Sequence, residues 1–165
     1  MKKLIFTLLF SLPLMAQHSF RAENGDIVWE KSFPVNNVNL VAMVESHPEF
    51  TVDAYIDNLL QGTAKDMAIT GEGGSGLMKN NCKFDYVIVL EDGQYVVKVK
   101  EFKFLEKMGP MQMRTVANSC EKYFMDDKKI RPTPITQGNL EYLDNFLTGI
   151  FSGTAIASSG ELTAN

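Results

Sequence analysis

The sequence predicts a single α+β domain, in which helices pack on one face of an antiparallel sheet. The first observation is a hairpin pattern in residues 84–102, FDYVIVLEDGQYVVKVKEF, where an Asp-Gly turn signal separates two runs of β-forming residues. The second is a pair of amphipathic helix patterns, at 51–62 and 139–151. The third is the length of 165 residues, which is enough for one domain with a substantial core.

The chain begins with the pattern of a secretory signal peptide, which we assign to residues 1–16. Lys2 and Lys3 precede an apolar run, and Ala16 is a small residue just before Gln17. The run is too short to span a membrane, and no other segment has the ~20 apolar residues that a transmembrane helix needs. We therefore expect an exported protein, periplasmic or secreted, whose mature chain has no transmembrane segment.

The folded domain is expected to occupy residues 27–151. The segment before it, 17–26, is predicted to be a flexible mature N-terminus. The segment after it, 152–165, is rich in small and polar residues and is predicted to be a disordered tail.

The first elements of the domain follow from local patterns. Residues 26–33, DIVWEKSF, alternate in the manner of a strand. Residues 36–50 start as a polar turn and continue as a short apolar run, which leaves their structure open. Pro48 disfavours a helix that continues through His47.

Residues 51–62 are predicted to form a helix, with Thr51 as the N-cap and Gly62 at the end. Asp53 and Asp57 would lie on one flank of it, which we interpret as a solvated edge rather than a metal site. The apolar stripe of this helix would consist of Val52, Ile56, Leu59 and Leu60.

The hairpin pattern fixes a register in which Glu91 faces Gln94. The core face would then carry Phe84, Tyr86, Ile88, Leu90, Tyr95, Val97 and Val99. On the reverse face, the facing pairs would be Val89 with Val96, Val87 with Lys98, and Asp85 with Lys100, the last a cross-strand ion pair.

Beyond Lys100 the apolar phase switches, and a bulge or a local cover over the reverse face would explain this. An open apolar face with a charged rim is typical of a partner surface. The alternative is that the tail or the 36–50 segment covers it. The predicted partner surface consists of Val87, Val89, Val96, Lys98, Lys100, Phe102 and Phe104.

A second helix is predicted at 111–125 and a terminal helix at 139–151, with a loop between them and Asn139 as the terminal N-cap. The stripe of the terminal helix would be Leu140, Leu143, Phe146, Leu147 and Ile150. Cys82 and Cys120 can form a disulfide in an exported protein or remain two independent thiols.

The stretch GEGGSG, residues 71–76, matches the glycine spacing of a dinucleotide-binding motif. Such a motif requires a helix that starts within it, and only seven residues separate it from the strand at Phe84. Leu77 and Met78 occupy the positions where a P-loop has Lys and Ser or Thr. We therefore interpret the stretch as a connection into the hairpin, with no bound cofactor.

No set of residues indicates catalysis or a metal centre. The two histidines, His18 and His47, lie in no catalytic motif, although Glu45 and Glu49 flank His47. The cluster Met108, Met111 and Met113 has the soft thioethers that suit Cu(I), but methionine more often fills gaps in a core. A net charge of −4 argues against nucleic-acid binding, which needs a concentrated basic surface.

The order of these elements resembles a family of exported Bacteroidota proteins, a domain of unknown function with a TATA-box-binding-protein-like (TBP-like) fold. The resemblance rests on the signal ending LMAQ, the strand IVWEKSF, the segment FTVDAYIDNLL, the glycine stretch, the hairpin and the terminal segment NLEYLDNFLTGIF. It covers about residues 27–151 and implies a curved antiparallel sheet with helices packed on one face. It implies no activity.

The sequence thus predicts an exported, non-enzymatic binding or structural module, which acts through its sheet face or sheet edge on a protein or cell-envelope partner. The alternative is a periplasmic protein that binds a small ligand or a metal through the glycine stretch and through Glu45, His47 and Glu49.

Overall fold

The computed structural model describes residues 19–35, 39–71 and 73–152. The predicted signal peptide and nearly all of the predicted tail lie outside these residues. The described residues form an antiparallel seven-stranded sheet with helices on one face, which confirms the α+β prediction. No described helix is long and apolar enough to cross a bilayer.

The strands are β1 Phe20–Glu23, β2 Asp26–Pro34, β3 Phe50–Ile56, β4 Leu59–Ala68, β5 Asn81–Glu91, β6 Gln94–Met108, β7 Arg114–Ser119, β8 Met125–Asp126 and β9 Lys129–Ile130. In the large sheet they lie in the order β1-β2-β6-β5-β4-β3. The strand β2 pairs with the first part of β6, from Gln94 to Val99, and β7 pairs with its last part, from Lys103 to Met108. Both strands lie on the same edge of β6. Two short strands, β8 and β9, pair with each other outside this sheet.

The helices are α1 Leu40–Glu45, α2 Cys120–Phe124 and α3 Pro134–Phe151. They define the covered face of the sheet, and the opposite side is called the open face below. Phe151, at the end of α3, packs against the rings of Trp29, Phe50 and Tyr86, which come from three different strands. The last residue of α3 is therefore at the centre of the core.

The predicted register of the β5–β6 hairpin is confirmed at every pair from Glu91–Gln94 to Asp85–Lys100. The strand predicted at 26–33 is also confirmed, as β2. The predicted ion pair between Asp85 and Lys100 is not among the salt bridges of the described residues. The salt bridges of this region join Lys98 to Glu23 and Glu30.

The prediction of a flexible N-terminus over 17–26 is wrong from Phe20 onward. Phe20 starts β1, which pairs antiparallel with β2 through a turn at Asn24 and Gly25, both with positive φ. The Phe20 side chain is buried in the core, and this burial holds the strand in place.

The helix predicted at 51–62 is wrong, because these residues form the β3–β4 hairpin. The turn falls at Asp57, whose φ of 51° lies in the left-handed region, and at Asn58. The Asn58 carbonyl accepts a hydrogen bond from the Leu90 amide at 2.8 Å, and the Asn58 side chain donates to the Leu90 carbonyl. Pairing with β5 therefore favours strands over the local helix pattern.

Two further helix boundaries differ from the prediction. Only Cys120–Phe124 of the predicted 111–125 helix is α-helical, because Arg114–Ser119 pairs with β6 as a strand. The terminal helix starts at Pro134 rather than at Asn139. Thr133 is its N-cap and accepts a hydrogen bond from the Thr136 amide, and proline at the first helical position needs no hydrogen-bond partner for its nitrogen. The predicted stripe of this helix is buried as expected.

A bulge at Glu101 explains the phase switch beyond Lys100. The register of β5 and β6 shifts between Lys83 and Asp85, and Glu101 has a φ of 52°. One extra residue in a strand moves every later side chain to the other face. Phe102 and Phe104 therefore point to the covered face.

Candidate binding surface on the open sheet face

An apolar row crosses the open face over four adjacent strands. Ile56 faces Leu59, Leu59 faces Val89, and Val89 faces Val96. Directly facing residues of neighbouring strands lie on the same side of a sheet, so these four side chains are contiguous. Ile56 is the most exposed of them, at 64%. Val87 lies next to the row on β5 and is half-buried.

A charged cluster occupies the same face beside the apolar row, at the β1 edge. Lys98 lies 3.0 Å from a carboxylate oxygen of Glu23 and 3.8 Å from one of Glu30, and Arg21 lies 2.8 Å from Glu30. Val28 faces Arg21 in the register and is buried although it points to the open face. The four charged side chains therefore cover the apolar surface at this end of the sheet.

The electrostatics of the cluster follow from these contacts. The hydrogen bond from Arg21 is the largest influence on Glu30 and lowers the pKa of that carboxyl below its ordinary value. The hydrogen bond from Lys98 does the same for the pKa of Glu23. Both acids therefore stay ionised at neutral pH, and the cluster keeps a near-balanced charge.

The structure places five of the seven residues of the predicted partner surface on the open face and two in the core. Val87, Val89, Val96, Lys98 and Lys100 do lie on the open face. The inclusion of the two phenylalanines is wrong. Phe102 and Phe104 are 2% and 0% exposed, and their rings pack in the core against Phe84 and Phe124.

Sequence reasoning missed Ile56 and Leu59, which complete the apolar row. Both were assigned to a helix, so their facing positions on a sheet were not visible. The signal was present in Asp57-Asn58, a polar pair typical of a turn between two β-forming runs.

The segment 39–50 does not cover the open face. Met43 and Val44 of α1 belong to the core on the covered side, and α1 ends at Glu45, before Pro48 as predicted. The other proposed cover, the tail, lies outside the described residues from 153 onward.

A groove of about 470 Å³ lies on the other side of the molecule, beside α3. His47 and Gly71 both line it, so two features of the alternative prediction come together here. The His47 ring lies 5.2 Å from that of Phe50. The groove is lined by His47, Thr70, Gly71, Tyr142, Asn145, Phe146, Gly149 and Ile150.

The metal part of that alternative finds no support in the described residues. They contain no group of three or more His, Cys, Asp or Glu side chains that could hold a metal ion. Asp53 accepts a hydrogen bond from Thr63 on β4, and Asp57 lies in the β3–β4 turn. The two aspartates are thus not on one helix flank.

The glycine stretch is part of the connection between β4 and β5, as predicted, and a short 3₁₀ turn at Gly76–Lys79 begins at its last residue. A Cβ atom at Gly71 would lie 2.8 Å from the Tyr142 hydroxyl, and one at Gly74 would lie 2.8 Å from the Met78 Cβ. Glycine is needed here because the chain packs closely against Tyr142 and Met78.

Cys82 and Cys120 are free thiols, and both are buried. The disulfide alternative is therefore not formed. Burial is the largest influence on both thiols and raises the pKa of each well above its ordinary value. Such thiols are inert rather than nucleophilic.

No family model matches the chain, and no curated protein matches it. Among solved structures, the chain is similar to a TBP-like protein from Parabacteroides distasonis, with a TM-score of 0.49 and 10% identity over 81% of this chain and 95% of that one. It is also similar to a DUF4468 family protein from Bacteroides ovatus, with a TM-score of 0.45 and 12% identity over 89% of this chain and 94% of that one. These are the kinds of protein that the sequence resembles, and the likeness assigns no activity.

Proposed function

We propose that the chain is an exported, non-enzymatic binding module, which docks a protein or cell-envelope partner on the open face of its sheet. Export rests on the signal-peptide pattern of residues 1–16. Docking rests on one observation, the apolar row of Ile56, Leu59, Val89 and Val96 on a face that no described helix covers.

The energetics favour the apolar row as the part of the surface that supplies affinity. Burial of a whole isoleucine side chain is worth about 1.5–3 kcal/mol. At 64% exposure, Ile56 alone can contribute about 1–2 kcal/mol on docking, which is roughly tenfold in affinity. The charged cluster around Lys98 contributes orientation more than affinity, because its charges are already paired and partly hydrated.

The face is a better candidate than the sheet edge. The exposed edge at β3 has a register shift between Val52 and Ala54, which interrupts the row of backbone groups that an added strand would pair with. The open face has no such interruption along the apolar row.

The test compares two exposed isoleucines. Ile56→Glu puts a charge in the apolar row, whereas Ile135→Glu puts the same charge on the first turn of α3, where Ile135 is 76% exposed. Both changes are at exposed positions and should shift the free energy of unfolding by about 0.5 kcal/mol or less. Size-exclusion chromatography and affinity capture from envelope extracts measure partner binding.

The expected result is a partner that the unmodified protein and Ile135→Glu capture and that Ile56→Glu loses by about tenfold or more. Equal capture by all three proteins, or a lone monomer in both assays, would exclude docking on this face.

A second candidate function is the binding of a small ligand in the groove beside α3. It is favoured by the convergence of His47 and Gly71 with Tyr142 and Asn145 in one groove. Native mass spectrometry of the purified protein should then detect a retained ligand.

The matched variants for the groove are Gly149→Leu, which fills it, and Gly138→Leu on the same helix but outside it. A Cβ atom at either position would meet nothing within 4 Å, so both variants should fold. Ligand loss in Gly149→Leu alone supports the groove, and ligand loss in both or in neither contradicts it.

A further inference from the structure

Three methionines protrude at the tip of the β6–β7 hairpin. Met108, Met111 and Met113 are 46%, 89% and 85% exposed. We call these three residues the methionine tip. The other described methionines are all buried in the core, namely Met43, Met67, Met78 and Met125. The interpretation of methionine as a core filler is therefore right for these four and wrong for the methionine tip.

The hairpin holds the methionine tip in a small space. Met108 and Arg114 are paired residues at the end of β6 and the start of β7, so the five residues between them form a closed loop. Met113 adjoins Arg114, and the sum of one Cα–Cα step and one cross-strand spacing puts the Cα atoms of Met108 and Met113 within about 9 Å.

The middle methionine sits in the same turn. The Gln112 amide donates to the Gly109 carbonyl at 3.1 Å, which closes the loop, and Met111 precedes Gln112 with a φ of 59°. Methionine has an unbranched side chain with three rotatable bonds. The three thioethers therefore extend from one tight turn on exposed side chains that can change rotamer, which is the freedom that joint binding of one ion requires.

The chemistry of the loop selects a particular class of ligand. Residues 107–114 read KMGPMQMR and include no carboxylate and no imidazole. Neutral thioethers are soft ligands that suit Cu(I) and offer little to Zn²⁺, Mg²⁺ or Ca²⁺. Lys107 and Arg114 flank the methionines, and their charge repels a divalent ion about twice as strongly as a monovalent one.

We propose that the methionine tip is a binding site for one soft monovalent cation, with Cu⁺ as the physiological example, held by the three thioether sulfurs. Binding forms three metal–sulfur bonds and displaces the ligands that carried the ion. It transfers no electron and releases no proton, because thioethers carry none. The site is separate from the docking face and does not depend on it.

The primary test is titration with Ag⁺, a soft monovalent ion that does not change oxidation state under these conditions, followed by NMR of methionine methyl groups labelled with ¹³C. The methyl signals of Met108, Met111 and Met113 should shift together and reach a plateau at one Ag⁺ per chain. The buried methionines are internal controls. Met67 pairs with Cys82 in the β4–β5 register, so a shift at Met67 reports Ag⁺ at that thiol.

The matched variant replaces all three residues of the methionine tip by leucine. Leucine keeps an apolar side chain of similar size but has no sulfur, so the variant separates metal binding from apolar docking. In anaerobic competition with a coloured Cu⁺ chelator, the unmodified protein should remove one equivalent of Cu⁺ from the chelator. The triple Met→Leu variant should remove none. Each single Met→Leu change should weaken binding at least tenfold.

Two further measurements test the selectivity argument. Lys107→Gln should tighten Cu⁺ binding about twofold, because it removes one repelling charge near the ion. Zn²⁺ should leave the three methyl signals unshifted. The proposal is overturned if Ag⁺ shifts the buried methyl groups instead, if the triple variant withdraws Cu⁺ as well as the unmodified protein does, or if Zn²⁺ shifts the methionine tip as Ag⁺ does.

Discussion

Asp144 attaches α3 to the sheet, and its substitution tests how that attachment works. The Trp29 indole nitrogen donates to one carboxylate oxygen of Asp144 at 2.6 Å, and the Lys31 ammonium lies 3.3 Å from the other. Lys31 also donates to the Thr148 hydroxyl at 2.8 Å. Because Trp29 is 0% exposed, its indole N–H has no access to water.

Asp144→Ala should destabilise the protein by about 3 kcal/mol. A buried donor without an acceptor costs about 1–3 kcal/mol, and the lost pair with Lys31 adds at most about 1 kcal/mol. Asp144→Asn is the control, because its amide oxygen can still accept from the indole. It should lose only the charge contribution, about 1 kcal/mol.

Urea unfolding followed by tryptophan fluorescence measures both variants, since Trp29 is the only tryptophan of the chain. With a slope of about 2 kcal/mol per molar urea, the midpoint should fall by about 1.5 M for Asp144→Ala and about 0.5 M for Asp144→Asn. Equal shifts for the two variants would show that the indole hydrogen bond contributes nothing.

The same contact predicts a dependence on pH. Burial acts to raise the pKa of Asp144, but the hydrogen bonds from Trp29 and Ser19 and the charge of Lys31 together outweigh it and lower that pKa. Ionised Asp144 therefore adds stability above the unfolded-state pKa of about 4, and this stability is lost as the pH falls through the lower folded-state value. The gap between unmodified protein and Asp144→Asn should narrow below about pH 4. A constant gap down to pH 2 would contradict this assignment.

Two other predictions follow from close packing. Gly62→Ala should cost about 3 kcal/mol or more in unfolding free energy, because its Cβ would collide with the Thr51 carbonyl and the Tyr86 ring, whereas Gly76→Ala should be neutral in the same urea assay. Cys82 and Cys120 should react with a thiol dye only after unfolding, because both thiols are buried and burial raises their pKa. The unfolded protein should then bind two equivalents of dye. Rapid labelling of the native protein would refute this burial.

The sequence was sufficient for the hairpin because two independent signals agree there. Alternation with a period of two fixes the faces, and the Asp92-Gly93 turn fixes the register, so each facing pair follows by counting. The Asn24-Gly25 pair is an equally strong turn signal, and it marks the β1–β2 hairpin that the assignment of a flexible N-terminus overlooked.

The β3–β4 hairpin has a weaker local signal, the polar turn pair Asp57-Asn58, and a competing helix pattern. Val52, Ile56 and Leu59 fit a helix stripe, and the choice between helix and strand is made by β5, which is distant in the sequence. The bulge is a similar case. Glu101 adopts a left-handed conformation that favours glycine, so its position has no local signal beyond the change of phase at Phe102.

These two features determined what was missed at the candidate site: the bulge was one of two explanations left open for the phase switch, and the hairpin was predicted as a helix. The bulge moved Phe102 and Phe104 into the core, and the hairpin brought Ile56 and Leu59 onto the open face. A surface assembled from several strands depends on long-range register, which local patterns do not specify.

The strand β6 also separates the two proposed sites. Val96, in the apolar row, is near its start, and Met108, in the methionine tip, is its last residue. Twelve residues of strand span about 40 Å, which the bulge at Glu101 shortens by bending. At such a distance, with no shared partner, the effects of substitutions are additive to within a few tenths of a kcal/mol. Ile56→Glu should therefore leave Ag⁺ binding unchanged, and the triple Met→Leu variant should leave partner capture unchanged. If either variant impaired both Ag⁺ binding and partner capture, the two sites would not be independent, and a single shared surface or a general loss of folding would explain the result.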